Sequence, residues 1–443
     1  MRIFREHWIV LLKDKYMNKK KNILVFPCGS EIALDIYSSV RYSTYFHLIG
    51  ANSIDDHGKY VYEDYIDGIP FVDSPEFIPA LRKIVVDREI DAIYPAMDTV
   101  ITKCKLFEKE LGCTVIASPA DTTKVCLSKK LTYERMKGII DIPKVYNPLL
   151  IDSSDFPVFA KPIVGYSAKG TKKLNNQEEV NNYLKGKDNM LVVEFLPGEE
   201  FTVDCFTDQA GKLLYSGARK RNRISNGISV NTFFAADQSD FKEIAEKINS
   251  AIKFRGAWFY QVKRNKDGKL VLLEIASRLG GSSLLSRAIG VNFALLSLFD
   301  AFGYQVSVFK NEYEVVLDRA LECKYKTNIE FDSVYCDYDD CLILDKTIIN
   351  TELVMFLYKC INNKKAIYLL SKHEDTDLLE ELKSFRLLGL FDEVIHIDPS
   401  SDKSDYIKAD RPIFIDDSNA ERLNVFNKLH IPVFSPEMID VLN

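Results

Sequence analysis

The apolar pattern of this chain changes character twice along its length, and those two changes bound the folds open to it. From residue 22 to about 125, strand-length apolar runs alternate with helix-length segments: NILVFP (22–27), YFHLIGA (45–51) and IDAIYPA (90–96) are separated by stretches such as PEFIPALRKIVVDR (75–88). Such alternation predicts an open α/β sheet, because parallel neighbours need a long crossover, usually a helix, between them. From about 126 to 325 the runs are instead joined by polar Gly turns, as in FTDQAGKLLYSG and VKRNKDGKLVLLEI. That is the signature of antiparallel hairpins in an α+β region. From about 332 the alternation returns, with SVYCDYD, a helix over 351–362, KAIYLLS, a helix over 375–388, FDEVIHID, PIFIDDS, a helix over 419–428, and IPVFS. This predicts a doubly wound α/β unit large enough to be a domain. The expected fold class is therefore multidomain, α/β and α+β.

Composition then removes several function classes. A formal charge of −6 and a pI near 5.7 give no general attraction to nucleic acid or to an anionic membrane surface. The apolar runs are shorter than the ~20 residues a membrane helix needs. Nine cysteines lie scattered without a C-x-x-C pair, which predicts reduced thiols and a cytoplasmic protein. Only six histidines occur and none has metal-ligand spacing, so any metal is expected on oxygen ligands. Residues 1–17, opening MRIFREHWIVLLKDKY, carry no motif and read as an N-terminal extension.

In the middle region, VFAKPIVGYSAKGTKKL (158–174) has Gly165 and Gly170 at P-loop spacing, but Thr171-Lys172 follow where that motif has Lys and then Ser or Thr. A Gly-rich turn still forms an anion nest from its backbone N–H groups, and Lys161 on the adjoining strand would add its ammonium. Downstream, VVEFLPGEEFTVD (192–204) ends a strand with Glu194, Phe195 and Leu196, where free backbone groups can read an adenine edge; Glu200 can accept from ribose hydroxyls. Gln261 and Glu274 face each other across the hairpin of WFYQVKRNKDGKLVLLEIASRLGG (258–281), an oxygen pair that suits Mg²⁺ sharing phosphate oxygens. Arg278 can stabilise charge on a transferred phosphoryl group.

These residues, in this order, resemble the ATP-grasp superfamily over roughly 22–325, on the side of the carbamoyl-phosphate synthase large-subunit-like ligases. The resemblance implies a small Rossmann-like domain at 18–125 ahead of an ATP-grasp domain at 126–330, with a lid subdomain at about 156–205. It implies that Lys129 and Lys161 hold ATP phosphates, and that the 165–170 loop, with Ser167, is the lid over them. Glu194 and the Phe195–Leu196 backbone would take adenine, Glu200 ribose, and Gln261 with Glu274 magnesium, or manganese in its place. The family usually reads Glu-x-Asn-Pro-Arg where this chain has Glu274-Ile-Ala-Ser-Arg278, so Ala276 supplies no ligand. The implied reaction is carboxylate activation by ATP through an acyl phosphate, followed by attack of an amine or another nucleophile. Arg219, Arg221 and Arg223 in GARKRNRISNG (217–227) are candidates to hold the substrate carboxylate, since the guanidinium fork is bidentate.

In the last region, Asp337 and Asp339 follow an apolar strand in VYCDYDDCLI, Ser371 ends AIYLLS, Lys403 lies in SSDKSDYI, and Asp416-Asp417 end PIFIDD. All fall where the carboxyl ends of a parallel sheet meet. This order resembles the haloacid dehalogenase-like (HAD) phosphatases over 331–443. It implies Asp337 as nucleophile, Asp339 as acid/base, Ser371 and Lys403 on the phosphate, and a magnesium site of Asp337, Asp339 and Asp416. Cys341 stands where Thr or Val is usual, and no large cap is inserted between 343 and 370. The whole reads as a bifunctional enzyme acting on a small carboxylate and amine and on a phosphorylated metabolite, a homodimer being compatible. The competing readings are a nucleotide-sensing scaffold with a degenerate site and an ATP-dependent phosphotransferase.

Overall fold

In a computed structural model of the chain, the described residues are 19–165, 169–225, 227–320, 323–374 and 377–442. The first domain is a parallel sheet of β1 (Lys21–Phe26), β2 (Phe46–Ala51), β3 (Asp64–Ile66), β4 (Ala92–Pro95) and β5 (Thr114–Val115), in the order β3-β2-β1-β4-β5. Ile23, Leu24 and Val25 of β1 are fully buried, as in a strand covered on both faces. Helix α1 (Glu31–Val40) is started by Ser30, whose side chain accepts from the Ala33 N–H, and α2 (Phe77–Asp87) and α3 (Asp98–Leu106) cover the sheet. The strand order reverses between β1 and β4. The crevice at their carboxyl ends is bordered by the starts of α1 and α3, the usual place for a ligand in an open sheet.

A second, four-stranded sheet holds β6 (Val145–Tyr146), β7 (Val158–Pro162), β8 (Lys172–Leu174) and β9 (Met190–Glu194), in the order β6-β9-β7-β8. This sheet spans 145–194, whereas the lid was expected over about 156–205; residues 200–207 belong to the next sheet. That sheet is antiparallel, with β10 (Glu200–Thr207), β11 (Leu213–Ser225), β12 (Ile228–Phe234), β13 (Gly256–Arg264), β14 (Leu270–Ala276), β15 (Val315–Arg319) and β16 (Cys323–Thr327), in the order β14-β13-β10-β11-β12-β15-β16. Helix α4 (Lys129–Met136) and helix α5 (Ser239–Ala251) share a core cluster with it, in which Tyr133, Met136, Phe241 and Ile248 meet Val203, Trp258 and Tyr260.

The last domain is a parallel sheet of β17 (Ser333–Cys336), β20 (Ala366–Ser371), β21 (Glu393–His396), β22 (Pro412–Ile415) and β23 (Val433–Phe434), in the order β21-β20-β17-β22-β23. A short hairpin, β18 (Ile343–Leu344) and β19 (Ile348–Ile349), follows β17. Helices α6 (Thr351–Asn362), α7 (Leu378–Ser384) and α8 (Asn419–Leu429) make the crossovers. The helix expected over 375–388 is shorter and breaks into a separate turn at Leu388–Leu390. Among the described residues no helix is long and apolar enough to cross a membrane.

Candidate active site

The lid sheet and the antiparallel sheet both line a cavity of about 340 Å³. Lys161 projects into it from β7 and is only 5% exposed, its Nζ donating to Tyr133 Oη at 2.5 Å and to the Leu273 carbonyl at 3.2 Å. Burial first, and the charge of Lys129 second, pull its pKa down to about 7 against the pull of Glu274 and Glu200. Lys129 opens α4, which Ser128 caps; its Nζ donates to the Gly165 carbonyl at 3.1 Å and lies 3.6 Å from Glu274. Gln261 on β13 pairs directly with Glu274 on β14, as the hairpin register requires. Two ammonium groups beside a hard oxygen pair suit a polyphosphate carrying a divalent cation. Phe159, Val193, Leu196 and Leu273 give the same cavity an apolar wall suited to a flat ring. The Glu194 carboxylate accepts from the Lys144 N–H at 3.1 Å, and Lys173 sits 4.5 Å from the centre of the Phe195 ring. Glu200 is ion-paired to Arg221 and 3.6 Å from Lys263. Gly170 takes a left-handed φ of 68° beside the loop, where glycine is the least strained residue. Ser167 lies outside the described residues.

A second cavity of about 470 Å³ shares Lys129, Arg221, Gln261 and Glu274 with the first and extends to Glu31 and Asp98 of the first domain. Arg278 lines it, with its fork closed on Asp98 by two bonds of 2.9 Å. Each of the three arginines expected to hold a substrate carboxylate is already paired with an acid. Arg219 is buried and bonded to Asp204 at 2.7 Å, and Arg221 is taken by Glu200 and by Gln261 at 3.1 Å. Arg223 lines neither cavity; it is exposed and bonded to Asp318 at 2.8 Å. The same sheet carries an acid within reach of each guanidinium, on the neighbouring β10 for Arg219 and Arg221 and two strands away on β15 for Arg223, so the cations are neutralised internally. Ala276, paired with Phe259, is 7% exposed in the wall of this cavity and offers no ligand atom.

In the last domain, one oxygen each of Asp337, Asp416 and Asp417 lie within 4.8 Å of one another. Lys403 is 2% exposed, with its Nζ 2.8 Å from Asp337 and 2.6 Å from Asp416. Burial disfavours its charge, but the two carboxylates outweigh that and raise its pKa. Burial, then the charge of Asp337, pushes Asp416 up to about 6, with Lys403 opposing. Ser371 Oγ is fully buried and has no hydrogen-bond partner among the described residues, an orphan donor at the end of the strand beside β17. Cys341 is buried, with Sγ 3.8 Å from the Ile415 carbonyl. Asp339 was expected to share the metal and is corrected: His373 Nδ1 lies 3.0 Å from both of its carboxylate oxygens, and Asp417 takes its place in the acidic cluster.

The residues missed in the sequence share one signal. Asp98 and Glu31 follow the ends of β4 and β1 and His373 follows the end of β20, all at carboxyl ends of parallel strands; Asp417, at the end of β22, was noted beside Asp416 but given no role. Tyr133 stands one helical turn after Lys129, on the same face of α4.

Comparison with known proteins bears on part of this. The family described as "ATP-grasp in the biosynthetic pathway with Ter operon" matches residues 186–322. The D-alanine–D-alanine ligase of Fusobacterium nucleatum is 29% identical over 193 residues, 40% of this chain and 62% of that protein. The same-named enzyme of Lacticaseibacillus casei is 30% identical over 155 residues, 33% of this chain and 42% of that protein. The chain thus spans less than two thirds of the length of these curated relatives. Among solved structures, the biotin carboxylase domain of 2-oxoglutarate carboxylase from Hydrogenobacter thermophilus, determined with MgADP, ADP and bicarbonate, aligns with a TM-score of 0.58 at 15% identity, covering 68% of this chain and 75% of that one. The L-amino acid ligase of Bacillus licheniformis gives 0.55 at 16% identity over 68% of this chain and 80% of that one. The chain shares the ATP-grasp type of fold with these proteins.

Proposed function

We propose that the chain is an ATP-dependent, ADP-forming carboxylate–amine ligase. The observation that carries this is the convergence of Lys129, Lys161, Gln261 and Glu274 on one cavity that opens into a second one beside it. The similarity to D-alanine–D-alanine ligases and to an L-amino acid ligase supports the reaction class. Lys129 and Lys161 would hold the phosphate chain, Glu194 and Leu196 the adenine, and Glu200 the ribose. Gln261 and Glu274 would hold magnesium or manganese, which when bound supplies charge neutralisation on the phosphates. The substrate carboxylate, in the second cavity, attacks the terminal phosphorus; ADP leaves, and an amine displaces phosphate from the acyl phosphate. Arg278, released from Asp98, would face the charge that develops. Residues 165–170 would shield the acyl phosphate from water. Release of ADP from MgATP against pools of carboxylates and amines tests the assignment, with Lys161→Met as the control. ATP binding without ADP release for any pair would favour a nucleotide-sensing role instead, the reading to which Ala276 points.

For the last domain we infer a phosphohydrolase. Asp337 attacks the phosphorus of a phosphate ester, Lys403 and the orphan Ser371 hydroxyl hold the phosphoryl oxygens, and Asp337, Asp416 and Asp417 would hold a magnesium ion that offsets the charge. Asp339 protonates the departing alcohol. Asp337→Asn should abolish turnover of an aryl phosphate and leave the melting temperature in place. A variant as active as wild type would remove the nucleophile assignment.

A further inference from the structure

Beside the acidic cluster stands a histidine that the phosphoryl chemistry above does not use. His373 is 7% exposed and contacts Asp339 through Nδ1 at 3.0 Å to each oxygen. Its other nitrogen lies 3.5 Å from Glu381 of α7, and the second Glu381 oxygen accepts from Tyr338 Oη at 2.6 Å. The Tyr338 ring meets the imidazole edge-on, with centroids 5.1 Å apart at 79°. The His373 carbonyl is fixed in turn by His396 at 2.7 Å. The imidazole is therefore held from two sides, by α7 and by the loop after β17, and its backbone by β21, whereas the Asp339 side chain is 44% exposed.

On the phosphohydrolase reading, we propose that His373 is a positioning residue that fixes the Asp339 carboxyl group for proton transfer to and from the reacting oxygens. In the first step Asp337 forms a bond to phosphorus, the ester P–O bond breaks, and the alkoxide takes the proton of Asp339. In the second step Asp339 takes a proton from the water that attacks phosphorus; the bond to Asp337 breaks and phosphate leaves. The protein is restored, with one water consumed. A proton donor matters in proportion to the basicity of the leaving group. Fixing it contributes most for an alkyl ester and least for p-nitrophenyl phosphate, whose anion departs unaided.

The test uses the full chain with Mg²⁺ and two probes, p-nitrophenyl phosphate and glycerol phosphate. His373→Ala should lose about 100-fold on the alkyl ester, at least tenfold more than on the aryl ester. His373→Asn, which keeps an N–H donor toward Asp339, should recover much of that selective loss. Equal losses on both esters, or no loss on either, would overturn the positioning role while the nucleophile assignment stood. If His373→Ala does not fold, His373→Phe, which keeps a ring but offers no N–H to Asp339, takes its place: a loss at least about tenfold greater on the alkyl than on the aryl ester supports the proposal, and equal losses or none overturn it. A wild-type chain inactive on both esters, with and without Mg²⁺, overturns the phosphohydrolase reading and this proposal with it.

Discussion

Lys161 shows how a single ammonium can couple nucleotide binding to pH. In the protein its pKa is about 7, against an ordinary 10.5, because burial and Lys129 disfavour its charge. The unfolded chain therefore binds more protons between pH 7 and 10.5. This group makes the folded state more stable as pH rises through that window, and the advantage is lost below it. Phosphate oxygens would act oppositely, since they favour the charged form. We expect MgATP binding at pH 8 to take up close to one proton, measured by calorimetry in buffers of different ionisation enthalpy. Lys161→Met should take up none and bind ATP about 10- to 100-fold more weakly, the loss of a charged hydrogen bond. Zero uptake by wild type would show that Lys161 does not meet the phosphates. The opposition of Gln261 and Glu274 was legible in the sequence because a hairpin's period of two fixes which side chains face each other, whereas Lys129, at the start of α4, was singled out only through the family resemblance. The occupation of Arg219 and Arg221 was not legible: it depends on how β10 is set against β11, which brings Asp204 and Glu200 within reach, and register is not written in one sequence.

At the scale of elements, the strands of the alternating regions could be read closely, since a buried parallel strand is a continuous apolar run bounded by polar loops. The helix Thr351–Asn362 begins and ends where its pattern does, capped by the Asn350 side chain accepting from the Leu353 N–H. The lid boundary was harder, because β6 is only the Val145–Tyr146 pair and gains its place by pairing with β9. Between β7 and β8, Gly165 and Gly170 look equivalent in sequence but differ in the fold. Gly170 has φ 68°, and a Cβ there would come within 3.2 Å of Pro162 Cγ; Gly165 has ordinary backbone and a nearest approach of 3.3 Å. Gly170→Ala should therefore cost about 1 kcal/mol and weaken ATP, whereas Gly165→Ala should cost less than half of that. Denaturant titration and ATP affinity measured together check this. Equal costs at the two glycines would show that the left-handed turn does not shape the lid.

Across the whole molecule, the last domain is built into the others. Val441, near the C-terminus, packs in one cluster with Leu284, Leu285, Val315 and Leu317 of the middle domain. The Asn311 side chain exchanges two hydrogen bonds with the Val433 backbone, of 2.7 and 3.2 Å. Arg287 ties all three domains, donating to the Ser38 carbonyl at 2.8 Å and to Asp440 at 3.1 Å, and its charge also acts on buried Asp35. Asp35 is 5% exposed and pushed up to about 7 by burial, with Arg319 and Arg287 opposing. The folded state holds that proton more tightly than the unfolded chain between pH 3.8 and about 7, so this group's contribution to stability declines as pH rises through the window. Interfaces this interlocked predict one cooperative unit where chain length alone would predict separate transitions. Trp258 reports the middle domain once Trp8, the other tryptophan, is replaced by Phe. In urea, its fluorescence and the far-ultraviolet circular dichroism of the whole chain should fall on one curve. Arg287→Ala should move both curves together, by about 3 kcal/mol, because it strips a counter-charge from buried Asp35. The loss should be greater at pH 8 than at pH 5, where Asp35 keeps its proton. Two separated transitions in the parent chain, or a shift confined to one probe, would mean that the last domain unfolds on its own and that the junction at Arg287 does not couple it to the first two domains.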